Sequence, residues 1–408
     1  MRIPLSKPSI GDAEVAYVTR VLRSGQLSFG AMLEEFESRF ADYVGTRYAV
    51  ATNSGTSALH LAVKALGIGP GDEVLTTSFS FAASTNCLLY ERAVPVFVDI
   101  DPDTLNIDPI EIRRILERDY CWDPGREHAV NRNTGNILKA ILPVHLFGLP
   151  CAMDALLEIA RDYNLRVLED ACEALGAECG GRRVGNFGDA AVFAFYPNKQ
   201  ITTGEGGMLV TNDQSIAVLC RSLRNQGRDE NSAWLRHARL GYNYRLSDLH
   251  CALGVAQMER VDELLSVRRC LAAMYSLALD GVSEILPMRD PEDALRSWFV
   301  YVIRLREPYA RRRDEVMGRL RARGIECQAY FPAIHEQPYF RELCGATIQD
   351  LPHTQAACRQ CLALPFFPGM TSGQVEEVSF ALRQTLAECE TAPDFGAVKR
   401  RGSVSAIA

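Results

Sequence analysis

The run Phe193-Ala-Phe-Tyr-Pro-Asn-Lys-Gln-Ile-Thr-Thr-Gly-Glu-Gly-Gly207 sets one lysine, Lys199, between the end of an apolar stretch and a glycine-rich turn. Pro197 lacks a backbone donor and fixes its own φ, so a strand must stop there. Gly204, Gly206 and Gly207 permit tight turns and close approach of backbone to another group. A lysine presented in this way suits carbonyl chemistry. In a partly dehydrated pocket its ammonium loses stabilisation, the neutral amine becomes accessible, and an imine can form. A surface lysine in a turn is the plainer reading, and for Lys199 taken alone it is the one to prefer.

Three further segments bear on that choice. Asn53-Ser-Gly-Thr-Ser-Ala58 follows a strand-like run and opens a helix. Such a junction offers free backbone N–H groups and the positive end of a helix dipole, to which Thr56 and Ser57 add hydroxyls. It reads equally as a phosphate-binding turn or as an ordinary Ser/Thr helix cap. Leu168-Glu-Asp170 ends an apolar strand with carboxylates. A buried carboxylate survives when paired with a cation, and Asp170 is placed to face a protonated pyridine nitrogen; capping the next helix is its common alternative role. Ser78-Phe-Ser-Phe-Ala-Ala83 brings aromatics to a strand end, with Phe79 read as core. A phosphate cradle, an aromatic platform, a buried aspartate and a loop lysine together describe one ligand, pyridoxal phosphate.

The elements that must hold these residues alternate. From about residue 45 to 215, β-rich runs at 48–52, 73–77, 94–98, 139–144 and 165–168 are separated by helical stretches. Several runs are apolar on both faces, as strands covered by helices on both sides require. Leu59, Ala62, Val63 and Leu66 fall at helical spacing, as do Leu156, Ile159, Ala160 and Tyr163. This pattern predicts an α/β fold with a mostly parallel, doubly wound sheet, whose ligands sit beyond the carboxyl ends of its strands. A long helical connector follows near 245–280. A smaller C-terminal α+β domain then has a strand at 298–305, a basic helix near 309–323, another strand from Ile325 and a helix near 372–388. The expected division is a large domain over 1–260, a small one over 261–390, and a mobile tail over 391–408. Residues 118–137 show no period and read as an insertion loop.

Composition narrows the class. The 408 residues are 47% hydrophobic and 23% charged, ordinary for a globular chain with two or three domains. A formal charge of −7 argues against a nucleic-acid partner, and Arg311-Arg-Arg313 reads as a solvated helix face. The amino-terminal residues lack the apolar core of a signal peptide. No segment approaches the roughly 20 apolar residues that span a bilayer. Thirteen cysteines scattered singly fit free thiols in a reducing cytoplasm. The close pair Cys358 and Cys361 reads as two residues of one helix rather than a zinc site.

With these segments in order, the chain resembles the DegT/DnrJ/EryC1/StrS family of pyridoxal-phosphate aminotransferases acting on nucleotide-linked keto-sugars. The resemblance rests on Ser54-Gly-Thr-Ser-Ala-Leu59, Pro95-Val-Phe-Val-Asp-Ile-Asp101, Pro143-Val-His-Leu-Phe-Gly148 and Glu169-Asp-Ala-Cys-Glu-Ala-Leu-Gly176. It continues through Thr202-Thr-Gly-Glu-Gly-Gly207, Gly241-Tyr-Asn-Tyr-Arg-Leu-Ser-Asp248 and Tyr330-Phe-Pro, so it runs from about residue 3 to 390. It implies the transferase fold known as type I, a cytoplasmic homodimer with shared active sites, L-glutamate as amino donor and a 4-keto-6-deoxy nucleotide sugar as acceptor. It also implies Lys199 as the residue that holds the cofactor, Asp170 as the partner of its ring nitrogen, and Phe81, rather than Phe79, as the stacking ring. Thr56 and Ser57 fall on the phosphate turn, and Asn243 on an asparagine that reaches the neighbouring subunit's phosphate.

Two positions depart from the pattern. Ala194 stands where many relatives carry a phosphate-binding serine, and Glu173 stands where Gln or His often lies near the cofactor's phenolic oxygen. Two negative oxygens cannot sit together comfortably, so one of them is expected to hold a proton. His335 and His145 fall in family-like segments; His335 is expected to contact substrate, and His145 to be structural at least as readily. Two other readings stand beside this one. A pyridoxamine-phosphate sugar dehydratase is disfavoured by the retained lysine. A non-catalytic regulatory protein of the same fold is suggested by Ala194 alone.

Overall fold

Seven strands form the central sheet, in the order Tyr48–Thr52, Gly207–Thr211, Ala190–Ala194, Arg166–Asp170, Leu138–Leu142, Glu73–Thr77 and Val94–Val98. The structure is a computed structural model and describes residues 2–229, 233, 235–344 and 350–391. The expected tail at 391–408 therefore lies almost wholly outside the described residues. Gly207–Thr211 runs antiparallel to both of its neighbours. The remaining pairings in the sheet are parallel. Pro95 sits on the outermost strand, where a missing backbone donor costs no ladder bond on the open side.

Strand alternation distributes side chains to the two faces. Phe193 and Phe195 pack with Phe36 and Phe40 of helix Ala31–Val44, with ring centroids 5.1–5.4 Å apart. Such pairs contribute about 0.5–1.5 kcal/mol each beyond their buried area. Val192 faces the other way, into a core built with Leu59, Ala62 and Val63 of helix Gly55–Ala65. Ala194 points to the side opposite Phe193 and Phe195. The sheet is thus covered on both faces, as the doubly apolar strands require.

Strand ends differ slightly from the sequence reading. Leu138–Leu142 stops before Pro143, and Arg166–Asp170 extends to the aspartate itself because Asp170 N donates to Pro143 O at 2.9 Å. The segment 118–137 is not a loop. It contains a hairpin, Tyr120–Asp123 paired with His128–Asn131. The buried Glu73 carboxylate ties it to the sheet, accepting from the Tyr120 hydroxyl, Asn131 Nδ2 at 3.0 Å, Thr134 Oγ1 at 3.0 Å and Asn136 Nδ2 at 3.1 Å.

The connector is two helices, Asp248–Glu259 and Val261–Ala278. The smaller unit has an antiparallel sheet of Ile285–Leu286, Tyr301–Leu305 and Cys361–Leu364. Helices Arg313–Ala322 and Ser372–Thr391 pack on it. The strand expected from Ile325 is reduced to isolated bridges, Ile325 with Ile3 and Gln328 with Ala363. Cys361 opens the third strand, so it does not share a helix with Cys358. Ile3 is buried in this second core, which places the start of the chain with the smaller unit. Arg312 and Arg313 do not form a solvated face either: their guanidinium groups bond to the carbonyls of Cys389 and Cys358, and only Arg311 is strongly exposed. Among the described residues no helix is long and apolar enough to cross a membrane.

Candidate active site

The carboxyl ends of the parallel strands and the start of Gly207–Thr211 meet at one edge of the sheet, over a cavity of about 730 Å³. Lys199, Asp170, Glu173, Thr56, Phe81 and Ala194 all line it. The lysine loop folds back on its own strand: Phe195 N donates to Gly206 O at 2.9 Å, and Thr203 N donates to Phe195 O at 3.0 Å. Gly204 has φ +81°, and a Cβ on Gly207 would lie 2.4 Å from Ser54 O. Glycine is therefore required where this loop crosses the turn that opens helix Gly55–Ala65.

Lys199 Nζ lies 4.0 Å from the centroid of the Phe299 ring and 3.7 Å from Glu173 Oε1. Its side chain is 14% exposed, so the amine is largely dehydrated and faces a ring and a carboxyl group. Glu173 Oε2 accepts from Phe147 N at 2.9 Å. Burial pushes the Glu173 carboxyl above the ordinary glutamate value, partly opposed by the Lys199 ammonium and by that backbone bond.

Asp170, the last residue of its strand, is buried. Its Oδ2 accepts from Ser84 Oγ at 2.7 Å and its Oδ1 from Cys172 N at 3.1 Å. Ser84 is itself 2.9 Å from Ser80, oxygen to oxygen. Burial first, and the Asp170 charge second, push the Cys172 thiol well above its usual range, so it is no nucleophile.

At the turn, Ser54 is the cap of helix Gly55–Ala65, accepting from Ser57 N at 3.1 Å, and the Ser57 hydroxyl lies 2.9 Å from Ser54 Oγ. Thr56 faces the cavity, and Ser57 is not among its lining residues. The helix-cap reading of this junction is realised by Ser54 and Ser57, and Thr56 is left facing the cavity. A Cβ on Gly55 would come within 2.7 Å of the Ala194 Cβ, so the wall here has no room for one. Phe81 is 64% exposed at the cavity, whereas Phe79 is core, in edge contact with Phe147 and Phe331.

Asn243 lies outside this cavity with its side chain exposed, bridged to Asn225 through the backbone. It is held between Tyr242 and Tyr244, whose rings stack at 4.9 Å. His335 does not line the cavity. Its Nδ1 is 2.7 Å from Ser78 Oγ, its ring leans on Phe97, and burial lowers its proton affinity. The neighbouring Gln337 lines the cavity instead. His145 is fully buried, accepting from Cys151 N at its Nδ1, so its Nε2 donates to Glu169 at 3.1 Å. It is a structural histidine.

Ser84, Asn198, Phe299 and Gln337 were given no role in the sequence, and Tyr330 entered only as part of the Tyr330-Phe-Pro segment. Ser84 carries a legible signal, since Ser80 and Ser84 are four apart at a helix start. Phe299 and Tyr330 come from the smaller unit, and nothing local in the sequence announces their approach.

The donor set suits a flat, phosphorylated pyridine aldehyde: an amine for the carbonyl, a buried carboxylate for a cationic ring nitrogen, an open helix start for a dianion, and a ring at the mouth for stacking. Similarity to known proteins agrees with that chemistry. Residues 8–383 match the DegT/DnrJ/EryC1/StrS aminotransferase family. The chain is 40% identical over 389 residues to the GDP-perosamine synthase of Caulobacter vibrioides, covering 94% of this chain and 98% of that one. Among solved structures, S. venezuelae DesV in complex with a ketimine intermediate superposes with a TM-score of 0.82 at 33% identity, covering 94% and 98% of the two chains. DesI in the presence of its TDP-sugar product gives 0.82 at 31% identity, covering 94% and 92%. The chain belongs to the DegT/DnrJ/EryC1/StrS aminotransferase family and shares its dependence on pyridoxal phosphate.

Proposed function

We propose that this chain moves an amino group from L-glutamate to the ketone of a nucleotide-linked 4-keto-6-deoxy sugar, in the making of an amino sugar. The observation that carries the reading is the Lys199 amine, held in the cavity between the Phe299 ring and the Glu173 carboxyl with Asp170 in the same wall. The names of the relatives support a nucleotide sugar as acceptor, and that of the Caulobacter protein makes a GDP-linked one the first to test.

When bound, pyridoxal phosphate supplies an electron sink for the carbanion formed at the donor's α-carbon and then at the sugar carbon. The chain's residues do the rest. Lys199 holds the cofactor and, once released, moves the proton as a base in reach of both substrates. Asp170, ordered by Ser84 and the Cys172 amide, keeps the ring nitrogen protonated. Thr56 and the open start of helix Gly55–Ala65 bind the phosphate, joined by Asn243 from a second copy of the chain in a homodimer, while the Ser57 hydroxyl stays with Ser54. Phe81 stacks on the ring. Glu173 shares a proton with the phenolic oxygen. Gln337, in place of His335, lines the sugar's side of the cavity. We place the unit boundary near residue 260, so that the smaller unit brings Phe299 and Tyr330 to the cavity. Free thiols throughout the described chain agree with a reducing cytoplasm.

The test is a screen of GDP- and dTDP-linked 4-keto-6-deoxy hexoses with L-glutamate and the holoenzyme. The expected result is 2-oxoglutarate together with a product whose mass matches replacement of the ketone oxygen by an amine and hydrogen. Conversion of glutamate with no aminated sugar from any nucleotide would overturn the substrate class.

A further inference from the structure

Arg268 is a buried cation on helix Val261–Ala278, between the two units. Among the described residues it has no carboxylate partner, and burial alone lowers its proton affinity to about 10. An isolated buried charge is costly, so a guanidinium retained here must be held by oriented dipoles. Its bonds go to main-chain carbonyls. Nη2 donates to Lys199 O at 2.8 Å, and Nη1 donates to Phe299 O at 3.1 Å and Trp298 O at 3.5 Å. The ring of Phe366 lies 5.7 Å from its Cζ. The two residues joined in this way also meet by their side chains, with Lys199 Nζ over the Phe299 ring.

One guanidinium therefore fastens the lysine of the large unit to the aromatic residue of the small one, from behind, with its charge turned toward the lysine's own peptide. The fork geometry of arginine spans two carbonyls from different segments, which an ammonium cannot do. We propose that Arg268 is a positioning residue for the amino-group transfer. It fixes the Lys199 backbone against Phe299, so that the side-chain nitrogen keeps its place over that ring. This inference rests on the reading of Lys199 as the residue that binds the cofactor. The titratable groups that line the cavity with Lys199 are Asp170, Cys172, Glu173, Tyr196, Glu205, Tyr330 and Tyr339, none of them on the helix of Arg268.

The experiment compares wild-type, R268Q and R268K holoenzymes by the bound cofactor's visible band, by kcat and KM for the sugar, and by melting temperature. In R268Q both carbonyls lose their guanidinium donor. Its kcat should fall by about tenfold or more, with KM for the sugar within about threefold. R268K keeps the charge and loses the fork. Its kcat should be lowered by roughly threefold or more, again with KM for the sugar within about threefold. If R268Q does not fold, R268K decides through kcat alone. A wild-type kcat in either variant overturns the proposal, as does a fall in kcat matched by an equal rise in KM for the sugar. A wild-type protein that shows no lysine-bound cofactor band would instead defeat the underlying reading of Lys199.

Discussion

Replacing Glu173 by Gln removes a carboxyl group next to the Lys199 nitrogen and keeps its shape. An amide oxygen can still accept from Phe147 N, as Oε2 does now at 2.9 Å. The charge is what changes. At the 3.7 Å separation of Glu173 Oε1 and Lys199 Nζ, an ionised carboxylate attracts a positive nitrogen by about 4.5 kcal/mol at an effective dielectric constant of ~20. At 1.36 kcal/mol per pH unit, that sets a ceiling of about 3 units on the shift of the nitrogen's protonation. Burial raises the Glu173 carboxyl, so it is protonated over part of the range and the realised effect is smaller. The midpoint of the bound cofactor's absorbance change should therefore fall by roughly 1–2 pH units in E173Q, since loss of an anion disfavours the protonated nitrogen. The assay is a spectrophotometric pH titration of wild-type and variant holoenzymes at constant ionic strength. A midpoint that rises, or stays within about 0.3 unit, refutes the placement of a working carboxylate beside this nitrogen.

The raised Glu173 carboxyl also has a stability consequence. A carboxyl whose folded-state value lies above its unfolded one costs nothing at low pH; the penalty grows as pH rises through the interval between the two values and is complete above it. The cofactor-free E173Q protein should thus melt no lower than wild type at pH 4 and gain relative to it by pH 8; a loss that grows with pH contradicts the shift. Ser84→Ala removes the 2.7 Å donor to Asp170, a charge-assisted bond of about 1.5–3 kcal/mol. Cofactor affinity, followed by equilibrium titration, should weaken by about 10- to 100-fold, and unchanged affinity would detach Ser84 from the site. Glu73→Gln weakens the tie that accepts from Tyr120, Asn131, Thr134 and Asn136, and should cost about 1.5–3 kcal/mol in denaturant unfolding without changing cofactor affinity. Mixing inactive K199A with weakened N243A protein should restore turnover, because one site of each mixed dimer then pairs an intact Lys199 with an intact Asn243; no gain over N243A alone argues against a shared site.

How far the sequence could be read depends on the range of the interactions. Strand ends at Thr52, Thr77 and Val98 were legible because apolar runs closed by turn residues are local signals. Lys199, Asp170 and Thr56 could be read as candidates because Asp170 closes a strand and the other two follow strand ends within a few residues, and strand ends of a parallel sheet converge on one edge. Phe81, Glu173 and Asn243 entered through family resemblance, since a half-exposed ring, one more carboxylate and an exposed asparagine carry no physical signature of their own. The hairpin at 120–131 was missed, although Asp123-Pro-Gly-Arg126 between two short β-rich runs is a turn signal. The strand expected at Ile325 failed because its partners, Ile3 and Ala363, meet it at single bridges from distant parts of the chain. Arg268, Phe299 and His335 were beyond reach for the same reason: their roles depend on contacts with residues 69, 100 and 257 positions away, which no local pattern encodes.

The most direct measurement is mass mapping of the holoenzyme after borohydride reduction. A reduced cofactor mass on the peptide that contains Lys199, and its absence from K199A protein together with loss of amino-group transfer, is the predicted result. Modification of a different lysine, or turnover that survives in K199A, would contradict the central claim.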